Sequence, residues 1–334
     1  MTLETFSFVI LTFNHEKYII ELLESIKYQI NTYKKPFNYK LIIADDSSRD
    51  NTIELINFWL TNNTDTFDEV EILSPESNQG TCINYTKSWE HISGKYFKVI
   101  AGDDLFSFND IVESVQSKGD EDLLSGLPIL LVNNELIDSN STHFHMIATD
   151  VIYKGSIRKL LNGLSMISAP SFIYSKEIIS NRRIFDFIRN FKLVEDFALL
   201  IGISKESKGT YRLKHQVDIY YRRTAGSAFI VKNNLFLEDK YDCYDELSKM
   251  ESSLFKKILI KNRKFILGLK VRYISSVLNL NAYIYLLNLI FNCKKIYKEY
   301  MSLDLNIDKH RDYYKIINAI SNNVIENFEK TKDN

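Results

Sequence analysis

The chain has 334 residues, a formal net charge of −1 and 45% hydrophobic residues, enough for one large core or two domains. The neutral balance gives no reason to expect nucleic acid as a partner. Three scattered cysteines, Cys82, Cys243 and Cys293, form neither a CxxC pair nor a disulfide framework, so a reducing, cytoplasmic setting is expected.

The first hundred residues alternate strand and helix. Phe6–Leu11 (FSFVIL) reads as a strand covered on both faces. Asn14 is placed to cap a helix carrying Tyr18, Leu22, Leu23, Ile26 and Ile30 on one side. Tyr39–Ala44 is the second strand, and Asp50 is placed to cap a helix with Ile53, Ile56, Trp59 and Leu60 inward. Val70–Leu73, a helix over Thr81–Ile92 stopping at Gly94, and a strand over Tyr96–Ile100 follow. Such alternation implies right-handed crossovers and a mostly parallel sheet.

Each strand ends in a polar loop: TFN after the first, DDSSRDN after the second, SNQG after the third, GDD after the fourth. In a parallel sheet these loops share the carboxyl edge, where open α/β sheets bind ligands. Leu11, Thr12, Phe13, Asn14, Asp46, Asn78, Gly80 and Asp103 are therefore the candidate donor-binding residues. Neither GxxxxGK[ST] nor GxGxxG is present, which leaves a carboxylate-held divalent metal as the way to hold phosphate. Asp103 and Asp104 suit Mg²⁺ or Mn²⁺; taken alone, the pair also reads as a solvated turn. Asp46 suits an N–H of a base such as uracil, with Thr12 and Phe13 flanking the ring, while Asp45 and Ser47 read equally as caps of the next helix.

Beyond Asp120 the alternation loosens. Ile129–Asn133 reads as a strand, and NELIDSNSTHFH as a polar, exposed passage. His143 and His145 have the spacing of one strand face and, without a Cys or Glu partner nearby, read as surface residues rather than a zinc pair. His15 and His215 lie near the site loops without an assigned role. Ser165–Ser175 surrounds Pro170 and is the candidate acceptor segment; a helix near Lys176–Arg189 follows. Glu195–Asp196 lies between apolar flanks, where burial raises basicity. One of the two suffices as a catalytic base and the other suits acceptor hydroxyls; the alternative is an acidic pair at a helix N-terminus. Asp218–Tyr221 is a short strand leading to Arg222 and Arg223, which suit phosphates or structural ion pairs equally.

After Lys232 the chain reads as helix to its end. Leu254–Tyr300 is strongly basic, with an uncharged stretch between Arg272 and Lys294 that is long enough to span a bilayer. Its asparagines argue against spanning, and Asn281, Asn288 and Asn292 share one helical face. Residues 254–300 therefore suit peripheral contact with an anionic membrane, or packing on the catalytic domain or on a second copy as a homodimer.

Taken as a set, FVILTFNHEKYIIELLESI, LIIADDSSRDNT, NQG and GKYFKVIAGDD resemble family 2 glycosyltransferases of GT-A fold. The likeness is specific over about the first 105 residues and extends more loosely through VED and YYRRTAGS. It implies a Rossmann-like mostly parallel α/β sheet flanked by helices: a catalytic domain over 1–231, split into a nucleotide-sugar half (1–105) and an acceptor half (106–231), then a helical region over 232–334. It also implies inverting transfer of a hexose or N-acetylhexosamine from a nucleotide sugar, UDP-linked by preference, to a glycan or lipid-linked glycan hydroxyl. By the same resemblance Asp46 recognises the base, Asp103 lies near the ribose or diphosphate, Asp104 ligates Mn²⁺ or Mg²⁺, and Asp196 is the general base. The chain departs from the family pattern at Leu11, where a proline is usual, at Phe13 for Tyr, at Ala101 for the first acid of the DxDD-like motif, and at Thr224–Ala225, where many relatives carry His. The Lys-, Asn- and Ile-rich composition fits an AT-rich bacterial genome and hence capsule, O-antigen or lipooligosaccharide synthesis. The competing readings are a nucleotidyltransferase, which would be expected to carry glycines in its first loop, and a glycan-binding scaffold with a decayed site.

Overall fold

A computed structural model describes residues 3–223, 234–269 and 271–332. Thr224, Ala225, Lys270 and the 231/232 boundary lie outside the described residues. The chain begins β1 (Glu4–Thr12), α1 (Ile19–Tyr33), β2 (Phe37–Asp45), α2 (Thr52–Thr61), β3 (Glu69–Leu73), α3 (Thr81–Trp89), β4 (Tyr96–Ala101). Their four strands form one parallel sheet in the order β3-β2-β1-β4. Phe6, Phe8 and Ile10 of β1 face α1 and α2 with Leu22, Ile26 and Trp59, whereas Val9 faces Tyr85 and Trp89 of α3. Both faces are thus buried, which is why these strands are continuous apolar runs rather than alternating ones.

A second, mixed sheet follows. It comprises β5 (Leu105–Phe106), β6 (Leu123–Val132), β7 (Glu135–Ile137), β8 (Phe172–Tyr174) and β9 (Tyr211–Arg222), in the order β5-β9-β6-β7 with β8 also on β6. Around it lie α4 (Ile111–Gln116), α5 (Asn140–Tyr153), α6 (Ile157–Asn162), a 3₁₀ turn (Ala169–Ser171), α7 (Lys176–Ser180), α8 (Arg182–Ile188) and α9 (Glu195–Glu206). The C-terminal region is helical: α10 (Asn234–Met250), α11 (Leu254–Gly268), α12 (Arg272–Leu278), α13 (Leu280–Met301) and α14 (Ile307–Lys332). α13 packs on α5, and α14 returns to pack on α1 and α2. No helix among the described residues is long and apolar enough to cross a membrane.

Several sequence expectations need correction. The passage after Asn133 is exposed over much of its length, as expected, but it is ordered as a hairpin and the start of a helix. Asn133 and Asn134 take left-handed backbone (φ 49° and 60°), pair Val132 with Glu135 in a tight hairpin, and the chain then enters α5. Asparagine tolerates that conformation, so the exposed Asn133–Asn134 pair marks a tight turn. His143 and His145 lie on a helix, not a strand. His143 is buried with Nε2 2.6 Å from the Pro128 carbonyl, and His145 Nδ1 is 2.9 Å from the Tyr285 hydroxyl. Asn14 does not cap α1. Its φ is 55°, its N–H donates to Ser48 Oγ (2.8 Å), and its Oδ1 accepts the Arg49 N–H (2.8 Å), so it joins the first two site loops. The helix expected over Lys176–Arg189 is broken, because Asn181 Oδ1 accepts the N–H groups of Arg183 and Ile184 and starts α8.

Candidate active site

Parallel register brings the strand ends together. Leu11 pairs with Ala44 on one side and Ala101 on the other, and Thr12 pairs with Asp45. Beyond those pairs the Asp46 N–H donates to Thr12 O (2.9 Å) and the Gly102 N–H to Leu11 O (2.8 Å). Gly102 has to be glycine here, since a Cβ would lie 2.6 Å from His15 Nδ1 and 2.9 Å from Thr12 Oγ1.

A cleft of about 630 Å³ opens over this edge. Leu11, Thr12, Phe13, Asp46, Asn78, Gly80, Asp103, Asp104, Glu195, Asp196 and Arg222 line it; Asn14 and Arg223 do not. The Asp46 carboxylate accepts N–H groups from Gln79 (2.7 Å) and Gly80 (2.9 Å), which pins the loop after β3 against the end of β2. Burial raises the Asp46 pKa, opposed by those two N–H groups. Asp45 is structural. It is fully buried and accepts from Ser48 N–H (2.9 Å), from Ser48 Oγ and from Ser74 Oγ (2.9 Å).

Asp104 is buried and accepts the Arg222 N–H (2.8 Å). Burial, then the neighbouring charge of Asp103, pushes its pKa well up. Arg222 opposes that rise through its N–H and its charge. Its guanidinium is buried, ion-paired with Glu21, bonded to Asp103 O (2.9 Å) and Asn134 Oδ1 (3.1 Å), and stacked over Tyr18 at 4.6 Å. Of the two uses open to this arginine, it is engaged as a structural ion pair; Arg223 is exposed. No group of three or more His, Cys, Asp or Glu side chains that could alone hold a metal exists among the described residues.

Glu195 and Asp196 open α9 and line the cleft together with Ala169, Pro170 and Phe172. Glu195 is partly enclosed by protein and partly open to the cleft. That enclosure, then the adjacent Asp196, pushes its pKa up to about 8. Beside them the Tyr85 and Tyr174 hydroxyls contact each other, and Ala169, Pro170 and Phe172 form the facing wall. Behind that wall Lys98 of β4 is buried, with Nζ donating to the carbonyls of Val99 (2.7 Å), Pro170 (2.7 Å) and Phe172 (3.1 Å). Sequence reading missed Tyr85, Tyr174 and Lys98. Only Lys98 gave a signal, a charge inside the apolar run YFKVIA.

The family model for glycosyl transferase family 2 matches residues 7–183, just over half of the chain. The chain belongs to glycosyl transferase family 2. No curated protein matches it. Solved structures of similar fold include TarS 1–349 of S. aureus in complex with UDP-GlcNAc (17% identity, 83% of this chain, 79% of that one, TM-score 0.56). Another is the mannosyltransferase PcManGT of Pyrobaculum calidifontis in complex with GDP-Man and Mn²⁺ (11% identity, 96% and 87%, TM-score 0.56). This family 2 chain is a glycosyltransferase with a GT-A fold, in which the four-stranded parallel sheet presents the cleft.

Proposed function

We propose that the enzyme transfers a hexose or N-acetylhexosamine, with inversion, from a UDP-sugar to a hydroxyl of a glycan or lipid-linked glycan, in assembly of a bacterial capsule, O-antigen or lipooligosaccharide. The observation that carries this reading is the convergence of Asp46, Asp103–Asp104 and Glu195–Asp196 on one cleft from three separate loops. The nucleotide sugars bound by TarS and PcManGT support a donor of that class.

Asp46 accepts the base N–H, with Thr12 and Phe13 beside the ring and Asn78 and Gly80 on the same wall. Asp103 and Asp104 fit a divalent cation, Mn²⁺ or Mg²⁺. They are adjacent hard oxygen donors, one of them buried, and the nearest guanidinium is already committed to Glu21. Bound there, the cation would neutralise the diphosphate leaving group. Glu195 and Asp196 both face the cleft. Asp196, the position the family resemblance gives as general base, takes the acceptor proton, and Glu195 suits the acceptor hydroxyls.

Calorimetric titration with UDP tests the donor side. UDP binding should require Mn²⁺ or Mg²⁺ and should be lost in Asp104→Ala with the fold intact. Equal UDP affinity in that variant, or in chelator, would sink the assignment.

A further inference from the structure

Exposed apolar surface is concentrated at one place. Of the 25 large hydrophobic side chains exposed among the described residues, 17 lie between 254 and 301. Tyr273 is 79% exposed and Phe291 83%. Patches of this kind mark interaction surfaces.

The packing of these helices explains the exposure. Asn281 is buried, with Nδ2 donating to Leu259 O (3.0 Å). Asn262 Nδ2 donates to Leu278 O (2.9 Å), and its Oδ1 accepts the Leu280 N–H (3.0 Å). Asn288 and Asn292 turn back onto their own helix, donating to Ile284 O and Asn288 O (2.8 Å each). Amides thus hold α11, α12 and α13 together, while Phe255, Phe265, Tyr283, Leu287, Ile290 and Phe291 face out. A helical unit that met only water would show the opposite arrangement.

The charge on these helices is predominantly of one sign, with Glu299 the one acid on α11–α13. Residues 252–298 carry ten Lys or Arg and no Asp or Glu. Among the described residues no ion pair involves Lys257, Lys261, Lys294, Lys295 or Lys298. Lys294, Lys295 and Lys298 are exposed immediately beyond the apolar stripe of α13.

We propose that the outer face of α11–α13 docks in the plane of an anionic lipid bilayer, with its aromatic and aliphatic side chains in the acyl boundary and its lysines among the headgroups. An apolar face rimmed by cations, with a single acid at Glu299, is the chemistry of an interfacial amphipathic element. A second copy fits worse. Two-fold pairing of this face would set many lysines against lysines, with Glu299 the one carboxylate on α11–α13 of each copy to offset them. The face is mounted on the acceptor half. α13 packs on α5, and α11 packs on α6, with Arg263 Nη1 bonded to Leu161 O (2.6 Å). α6 in turn packs on α9, which carries Asp196. A bilayer-borne acceptor would therefore arrive on the side of the catalytic base. Docking itself does not depend on the glycosyl-transfer reading.

Vesicle co-sedimentation of the full chain tests this. At low salt the protein should sediment with phosphatidylcholine–phosphatidylglycerol vesicles and stay in solution with phosphatidylcholine alone. Lys294→Glu/Lys295→Glu should lower partitioning roughly tenfold or more. Leu287→Ser/Phe291→Ser should lower it as well, and both variants should keep metal-dependent UDP binding. Wild type that stays in solution with anionic vesicles overturns the proposal. So does a dimer by light scattering that Leu287→Ser/Phe291→Ser dissociates, since the face is then covered by a second copy. Vesicle binding by a protein that transfers no sugar would leave docking standing and remove only the functional reading.

Discussion

The two acids that open α9 have different fates, although they are neighbours. Glu195 is held up to about pKa 8 by its enclosure and by Asp196, so at neutral pH it is close to its neutral isostere glutamine. Glu195→Gln should therefore keep most of its turnover at pH 7. Asp196→Asn should lose roughly two to four orders of magnitude in turnover, the usual scale for a missing general base, with donor affinity retained. Steady-state kinetics on both variants check this; a dead Glu195→Gln beside an active Asp196→Asn would reverse the assignment. These acids were legible in sequence because each sits where apolar residues predict burial, and a charge at such a place needs a reason. Arg222 was legible as a charge but not in its use. Its partner Glu21 lies on the buried side of α1, 201 positions away, and no local pattern connects them. Tyr85 and Tyr174 gave no signal, since a buried tyrosine reads as ordinary core until its hydroxyl partner is known.

Among elements, the parallel strands of the first sheet were readable because both their faces are covered, which leaves uninterrupted apolar runs. The second sheet was readable only in fragments. β9 runs over Tyr211–Arg222. Its first half alternates buried Tyr211 and Leu213 with exposed Arg212 and half-buried Lys214, a half-buried strand signature that a search for continuous apolar runs passes over. β6 shifts register on either side of Leu127, next to Pro128, so its first half shows no clean period. What fastens the two sheets near the cleft is Lys98, which reaches from β4 to the Pro170 and Phe172 carbonyls. Burial lowers its pKa to about 7, against the pull of Asp218 and Asp104. Lys98→Met keeps the length and removes the donors, stranding buried carbonyls. It should cost about 1–3 kcal/mol of stability by urea denaturation. Because Pro170 and Phe172 belong to the candidate acceptor segment, acceptor KM should rise while UDP affinity holds. A variant with wild-type stability and acceptor KM would show that the wall is set by other contacts.

At the scale of the whole molecule, the site is built from buried carboxyls, and their protonation ties the stability of the ligand-free protein to pH. Burial raises Asp46, Asp104, Asp150, Glu195 and Asp218 above their ordinary values. Each binds its proton more tightly folded than unfolded, so its contribution is complete below the unfolded pKa and is lost as pH rises through the folded one. His310 acts in the opposite direction. It joins α14 to β9, with Nδ1 2.7 Å from the Tyr220 hydroxyl, and burial lowers its pKa to about 4. Its contribution is complete above 6.5 and is lost as pH falls through about 4. For Glu195 the window runs from its ordinary 4.5 up to about 8. Over that interval the folded state retains a proton that the unfolded chain releases, so stability declines with rising pH. Glutamine carries no proton to release. Glu195→Gln should therefore flatten the decline between pH 5 and pH 8 by up to about one proton of linkage, and leave unchanged the acid limb, to which His310, His143 and ion-paired carboxylates such as Glu251 contribute. Urea midpoints across pH 4–9, measured without nucleotide or metal, read this directly. Parallel profiles for the variant and wild type would mean that burial does not hold the Glu195 pKa up in the folded protein.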